Sequence, residues 1–383
     1  MTGDGLEETG LSRGEFLRDA AGVAVAATTF GTLVPAAFGA SPNLAPFKPS
    51  AKAGPAPKLP KRIAFANTSD NEFFLAFEKG LRAGAKATGL EFVSAISGGD
   101  PAKNVSQMEG FLRRGICALM VAPGDAAAQK ATLLQAINRG VAVMTLIQAP
   151  STVQINQNQF EAGRKQGALA AKHIKEKLGG QAEIAYFNLD TIESLRPRHQ
   201  GVLAGLRTAG PGAKVVSDIQ PAKLTSEATF SAMTTILQAH PNVKVILGSD
   251  FAASGALAAI EAAGKVTADM YIGGMDGENA WLDKVADRKA PVKTAFAFPT
   301  EVFAYAYSLF AADWLKGKSI PKGFRTPLVA INSPAQIPAY RADMKNPGRT
   351  WKNKKKAYGL EMYGNISYAT RNQYLRDIWV PKK

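Results

Sequence analysis

Cysteine and histidine are scarce. Cys117 is the lone cysteine, and His173, His199 and His240 are the only histidines among 383 residues. A single thiol excludes an internal disulfide and any redox chemistry that needs a cysteine pair. No histidine stands near another histidine or a cysteine at ligand spacing, so no metal is expected. His240 precedes Pro241 at a helix end, where capping is its ordinary role, and His173 falls in an amphipathic helix, where a surface position is expected. Glycine patterns that cradle phosphates or dinucleotides are missing, as is a Gly-x-Ser-x-Gly nucleophile elbow, so neither a cofactor nor catalysis is expected. Acidic residues are outnumbered, 31 Asp and Glu against 46 Lys and Arg, for a net charge of +15. What is present, 46% hydrophobic and 20% charged residues, suits a globular chain whose length suggests two domains.

The excess of positive charge is concentrated. Residues 335–383 hold 11 Lys or Arg against 3 Asp or Glu, interleaved with Tyr340, Trp351, Tyr358, Tyr363, Tyr368, Tyr374 and Trp379. Such interleaving is one way to bind single-stranded nucleic acid, but no RNA-binding motif accompanies it, and a tail packed across a domain surface is preferred. No nucleic-acid partner is expected. The Lys352 to Lys356 cluster reads as a contact for acidic headgroups or a membrane partner, or as part of a wrap around the second domain.

Residues 1–40 read as an export signal. Ala20 to Val34 is an uncharged apolar stretch of 15 residues, short of the roughly 20 that span a bilayer, and the small residues Ala36, Ala37, Gly39 and Ala40 follow it. Upstream, Ser12-Arg13-Gly14-Glu15-Phe16-Leu17-Arg18 resembles the twin-arginine motif with Gly14 in place of the second arginine, so twin-arginine and general secretory export both stay open. Removing the signal near Ala40 takes away 2 basic and 5 acidic residues and raises the net charge to +18. Residues 41–60 carry six prolines and read as an extended linker.

Beyond Lys61, short aliphatic runs alternate with amphipathic stretches. Runs at Ile63 to Ala66, Phe92 to Ile96, Ile116 to Ala122 and Val141 to Ile147 enclose helices at Glu72 to Thr88, Ala102 to Arg114 and Ala126 to Arg139. After a break around Ala149 to Asn158 the cadence resumes, with runs at Ile184 to Phe187, Val215 to Ile219, Val243 to Leu247 and Tyr271 to Gly273. Helices over Phe160 to Leu178, Ser194 to Ala209, Ser226 to Ala239 and Ala252 to Ala263 lie between those runs. Buried strands alternating with helices predict an α/β fold of two doubly wound parallel-sheet domains in tandem, with the ligand site in the cleft between them. The Val292 to Phe298 run and the Glu301 to Lys316 helix look like a return to the first unit. The expected division is 61–157 plus 299–318 for the first lobe, 158–298 plus about 319–334 for the second, and 335–383 as an extension.

Binding groups gather where strands meet helices. Asn67-Thr68-Ser69-Asp70-Asn71-Glu72-Phe73-Phe74 follows the first run, with amides and hydroxyls to orient a ligand and two rings to stack on a planar face. One of Phe73 and Phe74 is equally suited to stapling the helix to its sheet. Together with Asp100-Pro101-Ala102-Lys103, Arg198-His199-Gln200-Gly201, Ala239-His240-Pro241-Asn242-Val243 and Gly274-Met275-Asp276-Gly277, this segment resembles the periplasmic solute-binding proteins of ABC transporters, in the ribose-binding-like group. The resemblance runs from about Lys61 to Lys318.

What the resemblance implies is a jaw of two lobes joined by three crossings, which closes on a small molecule and delivers it to a membrane permease from the periplasm. A monomer is expected, with a solute and an ABC permease as its partners. The family's contacts fall on Asn71 and Phe74 in the first lobe, with Phe73 beside them, and on Arg198, Ser249, Asp250 and Asp276 in the second. Arg198 alternatively is a surface arginine, Asp276 a turn-maker before Gly277, and Asp250 a helix cap. Two departures bear on specificity: Leu146-Ile147-Gln148 stands where the sugar binders commonly carry Asp-Arg, and Ala297-Phe298-Pro299 where they offer a glutamine. Gln148 and Phe298 thereby join the expected site. With Phe74, Phe251, Phe296 and Phe298 as candidates to line it, the cleft suits a solute less hydroxylated than a pentose. Competing readings are a solute-sensing accessory protein for a chemoreceptor or sensor kinase, a repressor sharing the two-domain core, and an enzyme using the cleft.

Overall fold

The computed structural model describes residues 43–50, 53–148, 150–326, 328–354 and 358–375. The export signal and Trp379 lie outside them. The described residues all fall within a single compact unit, 39–383.

In chain order the first lobe begins β1 (Arg62–Asn67), α1 (Glu72–Thr88), β2 (Glu91–Ile96), α2 (Pro101–Arg114), β3 (Ala118–Val121), α3 (Ala126–Asn138), β4 (Ala142–Leu146) and β5 (Val153–Asn156). The second lobe follows with α4 (Gln159–Lys177), β6 (Ala182–Phe187), α5 (Arg196–Leu206), β7 (Ala213–Ile219), α6 (Ser226–Ala239), β8 (Val243–Leu247), α7 (Asp250–Ala262), β9 (Tyr271–Asp276), α8 (Asn279–Ala286) and β10 (Val292–Ala297). The remaining elements are α9 (Thr300–Leu315), β11 (Gly323–Arg325), β12 (Val329–Ile331), α10 (Ile337–Lys345), α11 (Pro347–Lys354) and β13 (Glu361–Tyr363). Seven strands form one sheet in the order β13-β11-β5-β4-β3-β1-β2, and six form the other in the order β12-β10-β9-β8-β6-β7. Only the edge strands β13 and β12 run antiparallel. The two-lobed α/β architecture is the one expected.

Local chemistry explains the elements. Asn71 caps α1 by accepting from the Phe74 amide, and Gly89 ends that helix at φ 70°, which a β-carbon disfavours. Asp100 and Asp125 do the same for α2 and α3. β1, β3 and β4 are almost wholly buried because helices cover both faces of the sheet.

Several expectations need correction. The Val292 to Phe298 run supplies β10 to the second sheet, beside β9, and the return to the first lobe begins only with α9. Segment 319–334 is divided: β11 pairs with β5 in the first sheet, and only β12 joins the second. The chain therefore passes between sheets four times rather than three, because after β12 it comes back to add β13 to β11. From α11 onward the extension packs on the first lobe, while α10 at its start also holds the second lobe through Arg341. Trp351 sets its ring edge-on to Phe310 and Phe324 at 6.3 and 5.8 Å, and Tyr368 approaches Trp314 at 6.3 Å. Over its described part the proline-rich segment also lies against that lobe, with the Phe47 amide donating to the Met362 carbonyl at 2.9 Å and Ala53 to Gly317 at 2.9 Å. His173 is buried rather than on the surface; its Nε2 meets the Asp269 carbonyl at 2.7 Å and its ring lies against Tyr271.

Candidate functional site

The carboxyl ends of β4 and β9 hold two of the three non-glycine residues with positive φ among the described residues, the third being Tyr374. Ile147 sits at φ 61° and Asp276 at φ 136°, a left-handed region that residues with a β-carbon avoid at a cost of about 1–3 kcal/mol. At the second of these points the polar side chains of the second lobe converge. Ser249, in the cap position of α7, lies beside the Asp276 carboxyl and favours its ionised form. Asp250, fully buried, accepts from the amides of Gly277 and Glu278 at 2.6 and 2.7 Å and so fixes the β9–α8 turn.

Arg198 reaches the same place from α5. The two helices α4 and α5 meet glycine to glycine: a β-carbon on Gly163 would overlap the Arg198 carbonyl, and one on Gly201 the Phe160 carbonyl. That close approach presses the start of α5 into the lobe and buries Arg198, leaving 8% of it exposed, so the surface-arginine alternative is excluded. Its Nε donates to Gln159 Oε1 at 2.9 Å. Burial lowers the Arg198 pKa, while the charge of Asp276 and the nearby Tyr186 act in the opposite sense.

The carboxyl groups are shifted strongly. Burial pushes Asp276 up to about 6 against the pull of Arg198 and the Ser249 hydroxyl. Burial, then Asp276, then Glu72 push Glu278 up to about 8. Asp250 is raised well above the ordinary carboxylate range by burial and by both of those neighbours. Beside Arg198, His199 bridges two carboxylates, with Nδ1 at 2.7 Å from Asp190 and Nε2 at 2.6 Å from Asp218. Burial opposes its charge, but the two acids outweigh burial and raise its pKa.

On the facing lobe, Phe73 and Phe74 lie edge to face at 5.2 Å, and Phe73 also meets Phe298 at 6.1 Å across the hinge. The lobes touch here. Glu72 accepts across the gap from the amides of Asn279 and Ala280 at 2.6 and 3.1 Å, at the open end of α8, and Glu278 in turn faces the Phe73 amide, which favours its ionised form. Each helix start is thus met by a carboxylate from the other lobe, the favourable end of the helix dipole for an anion. Tyr340 closes the hinge by donating its hydroxyl to the Phe298 carbonyl. Arg341, on the same helix, holds Asp283 at 2.7 Å and Asn279 at 3.0 Å in the second lobe.

Two hollows result. A small pit in the second lobe is lined by Arg198, Ser249, Tyr186 and Gln166. A cavity of about 360 Å³ lies between α1, the β9–α8 turn, the start of α9, and α10. Phe73, Asp276 and Glu278 line the cavity, and Asp276 touches Ser249 of the pit.

The chain matches the periplasmic binding protein domain over residues 63–319. It belongs to that family. The ribose import binding protein of Bacillus subtilis is 27% identical over 270 residues, which are 68% of this chain and 84% of that one. A solved protein of Mycobacterium smegmatis in complex with β-D-fucofuranose superposes with a TM-score of 0.67 at 21% identity, covering 79% of this chain and 99% of that one. A twin-arginine translocation pathway signal protein from Burkholderia phytofirmans gives 0.66 at 18% identity, covering 81% and 99%. These likenesses agree with the two-lobed fold.

The structure brings Arg198, Ser249, Asp250 and Asp276 together, with Phe73 opposite and Phe74 edge to face against it. Asn71 is engaged in capping α1, and Phe298 presents its ring to Phe73. Gln148 is turned into the first lobe, where its amide donates to Gln129 at 2.5 Å and Gln129 donates to Asn104 at 2.8 Å. Phe251 and Phe296 belong to the hydrophobic core rather than to a cleft lining. Sequence reasoning passed over Glu278, masked by the turn signal of Asp276-Gly277, and over His199, whose partners are 9 and 19 residues away.

Proposed function

We propose that the chain is the periplasmic solute-binding component of an ABC importer, holding a sugar or sugar-like polyol between its lobes and presenting the closed form to a membrane permease. The single observation that carries this reading is the convergence of Arg198, Ser249 and Asp276 at one strand end, opposite the Phe73 ring. A buried guanidinium and a buried carboxylate offer donors and acceptors in the two senses that a hydroxyl needs, and a ring covers the apolar face of a sugar. The import roles named for the Bacillus subtilis relative support the same reading. Leu146-Ile147-Gln148 and Ala297-Phe298-Pro299 stand where the resemblance would put the Asp-Arg and glutamine of the sugar binders, and Gln148 is already engaged within its own lobe, so the solute has fewer polar partners than a pentose would require.

The test is a thermal-shift panel of D-ribose, D-apiose, D-fucose, D-allose and myo-inositol, followed by calorimetry. A ligand at 100 times its Kd adds about 2.7 kcal/mol to stability, which displaces the melting curve by several degrees. An unmoved curve with every member of a wider monosaccharide and polyol panel would count against a sugar-binding role.

A further inference from the structure

The cavity between α1, the β9–α8 turn, α9 and α10 carries its charge unevenly. At its inner end stand Asp276 and Glu278, and Asp250 lies directly behind them. Glu278 is 8% exposed, and its Oε1 has no hydrogen-bond partner. Asp250 Oδ1 is likewise without one. The cation that acts on this group is Arg198, which attracts Asp276 through space. Glu72 adds a further carboxylate at the same edge, its oxygens taken by backbone amides.

The cations of the cavity stand at its mouth. Lys79, with 59% of its side chain exposed, pairs with Glu301 at 3.4 Å, and Arg341 pairs with Asp283. Lys345 is exposed. The buried inner end therefore holds more carboxylates than cations, and an unpaired buried acceptor costs about 1–3 kcal/mol, more for a charged one. A neutral polyol brings hydroxyls to such a place but no charge to set against it. Among the described residues no group of three or more carboxylate, histidine or cysteine side chains is arranged to hold a metal ion.

We propose that the solute is a small polyol bearing a protonated amine, with the ammonium seated between Glu278 and Asp276 and the hydroxylated body toward Arg198 and the Phe73 ring. This inference rests on the sugar-binding reading and narrows it. Glu278 is the specificity-determining residue: it faces the cavity, it is buried, and it keeps one oxygen free. Burial and the neighbouring Asp276 push its carboxyl up to about 8, and an ammonium beside it would act in the opposite sense and favour the carboxylate.

The experiment is calorimetric titration at pH 7 of the full exported chain with three pairs that differ in one amine: D-glucosamine and D-glucose, D-galactosamine and D-galactose, D-mannosamine and D-mannose. At least one amino sugar should bind about 10- to 100-fold more tightly than its neutral counterpart, the size of a charge-assisted hydrogen bond. Glu278→Gln keeps a side chain of the same size and removes the carboxyl that an ammonium would ionise, so it should bring that ratio close to one, while Glu278→Asp should preserve a preference. Neutral sugars that bind as well as or better than their amino partners overturn the inference and leave the sugar-binding reading standing, as does a preference that survives Glu278→Gln. Failure of all six compounds overturns the inference and weighs against the sugar-binding reading with it. The wild-type comparison decides the matter even if a variant folds poorly.

Discussion

Arg198→Ala removes one member of a buried pair of opposite charges, and its cost can be worked from the structure. Arg198 is 8% exposed, and the Asp276 carboxyl opposite it is already raised to about 6 by burial, with Arg198 the leading influence that holds it down. Taking one partner from such a pair leaves the other charge uncompensated, a loss of about 3–5 kcal/mol. Gln159 also loses the donor at its Oε1. Because a chain of this length loses only about 2 °C per kcal/mol, melting should fall by several degrees with the protein still folded at room temperature. The Asp276 carboxyl should meanwhile titrate above 6, so the loss should be larger at pH 8 than at pH 5. Arg198→Ala combined with Asp276→Asn removes both charges and should recover a good part of the stability, because what costs is the orphaned charge rather than the missing pair. In both variants the ligand-induced rise in melting temperature should vanish. Differential scanning fluorimetry at the two pH values, with and without the solute found in the sugar panel, reads all of this. A single variant that melts like the wild type, or that keeps its ligand response, would refute the electrostatic account of this site.

Three further outcomes follow from the same geometry. Glu72→Ala removes the carboxylate that crosses to α8; a net loss of about 1 kcal/mol from the touching state corresponds to a roughly five-fold weaker ligand, visible mainly in the dissociation rate by surface plasmon resonance. Unliganded stability should fall as pH rises from about 4 to 8. Asp276 and Glu278 have folded pKa values raised to about 6 and about 8, so the folded chain keeps protons that the unfolded chain has released, and the raised pKa of His199 acts in the same direction above its ordinary value of 6.5. Glu278→Gln should flatten its share of that slope, at most about 1.4 kcal/mol per pH unit, measured by denaturant unfolding across the range. Deleting residues 335–383 should cost several kcal/mol rather than nothing, because it uncovers Phe310 and Phe324, removes β13 from the sheet and takes Tyr340 from the hinge; a truncated chain with an unchanged melting temperature would contradict the packing described.

How much of this was legible beforehand depends on length and distance along the chain. Strands of five or more mostly aliphatic residues, such as β8, and helices with a capping Asn or Asp announced themselves by periodicity. The strands β5, β11, β12 and β13, of three or four residues, did not. In β5 the alternating Val-Gln-Ile-Asn pattern mimics a surface segment, yet all four residues are buried. Without β11 and β13 the extension had no visible anchor, and its charge suggested a solvated tail. At the site, Arg198 and Asp276 stood out through the residues around them. Glu278 and Tyr340 could not, since what matters about each is a neighbour far along the sequence: the Phe73 amide for one and the Phe298 carbonyl for the other. Gln148 shows the reverse, a polar residue at an expected contact position that the fold diverts to Gln129.

Hydrogen exchange followed by mass spectrometry, run with and without the bound solute, tests the central claim most directly. A solute gripped by both lobes should slow exchange at the start of α1, around Phe73 and Phe74, and at the same time around Arg198 on α5 and the Asp276 turn. Protection confined to one lobe, with the other exchanging as in the empty protein, would contradict it.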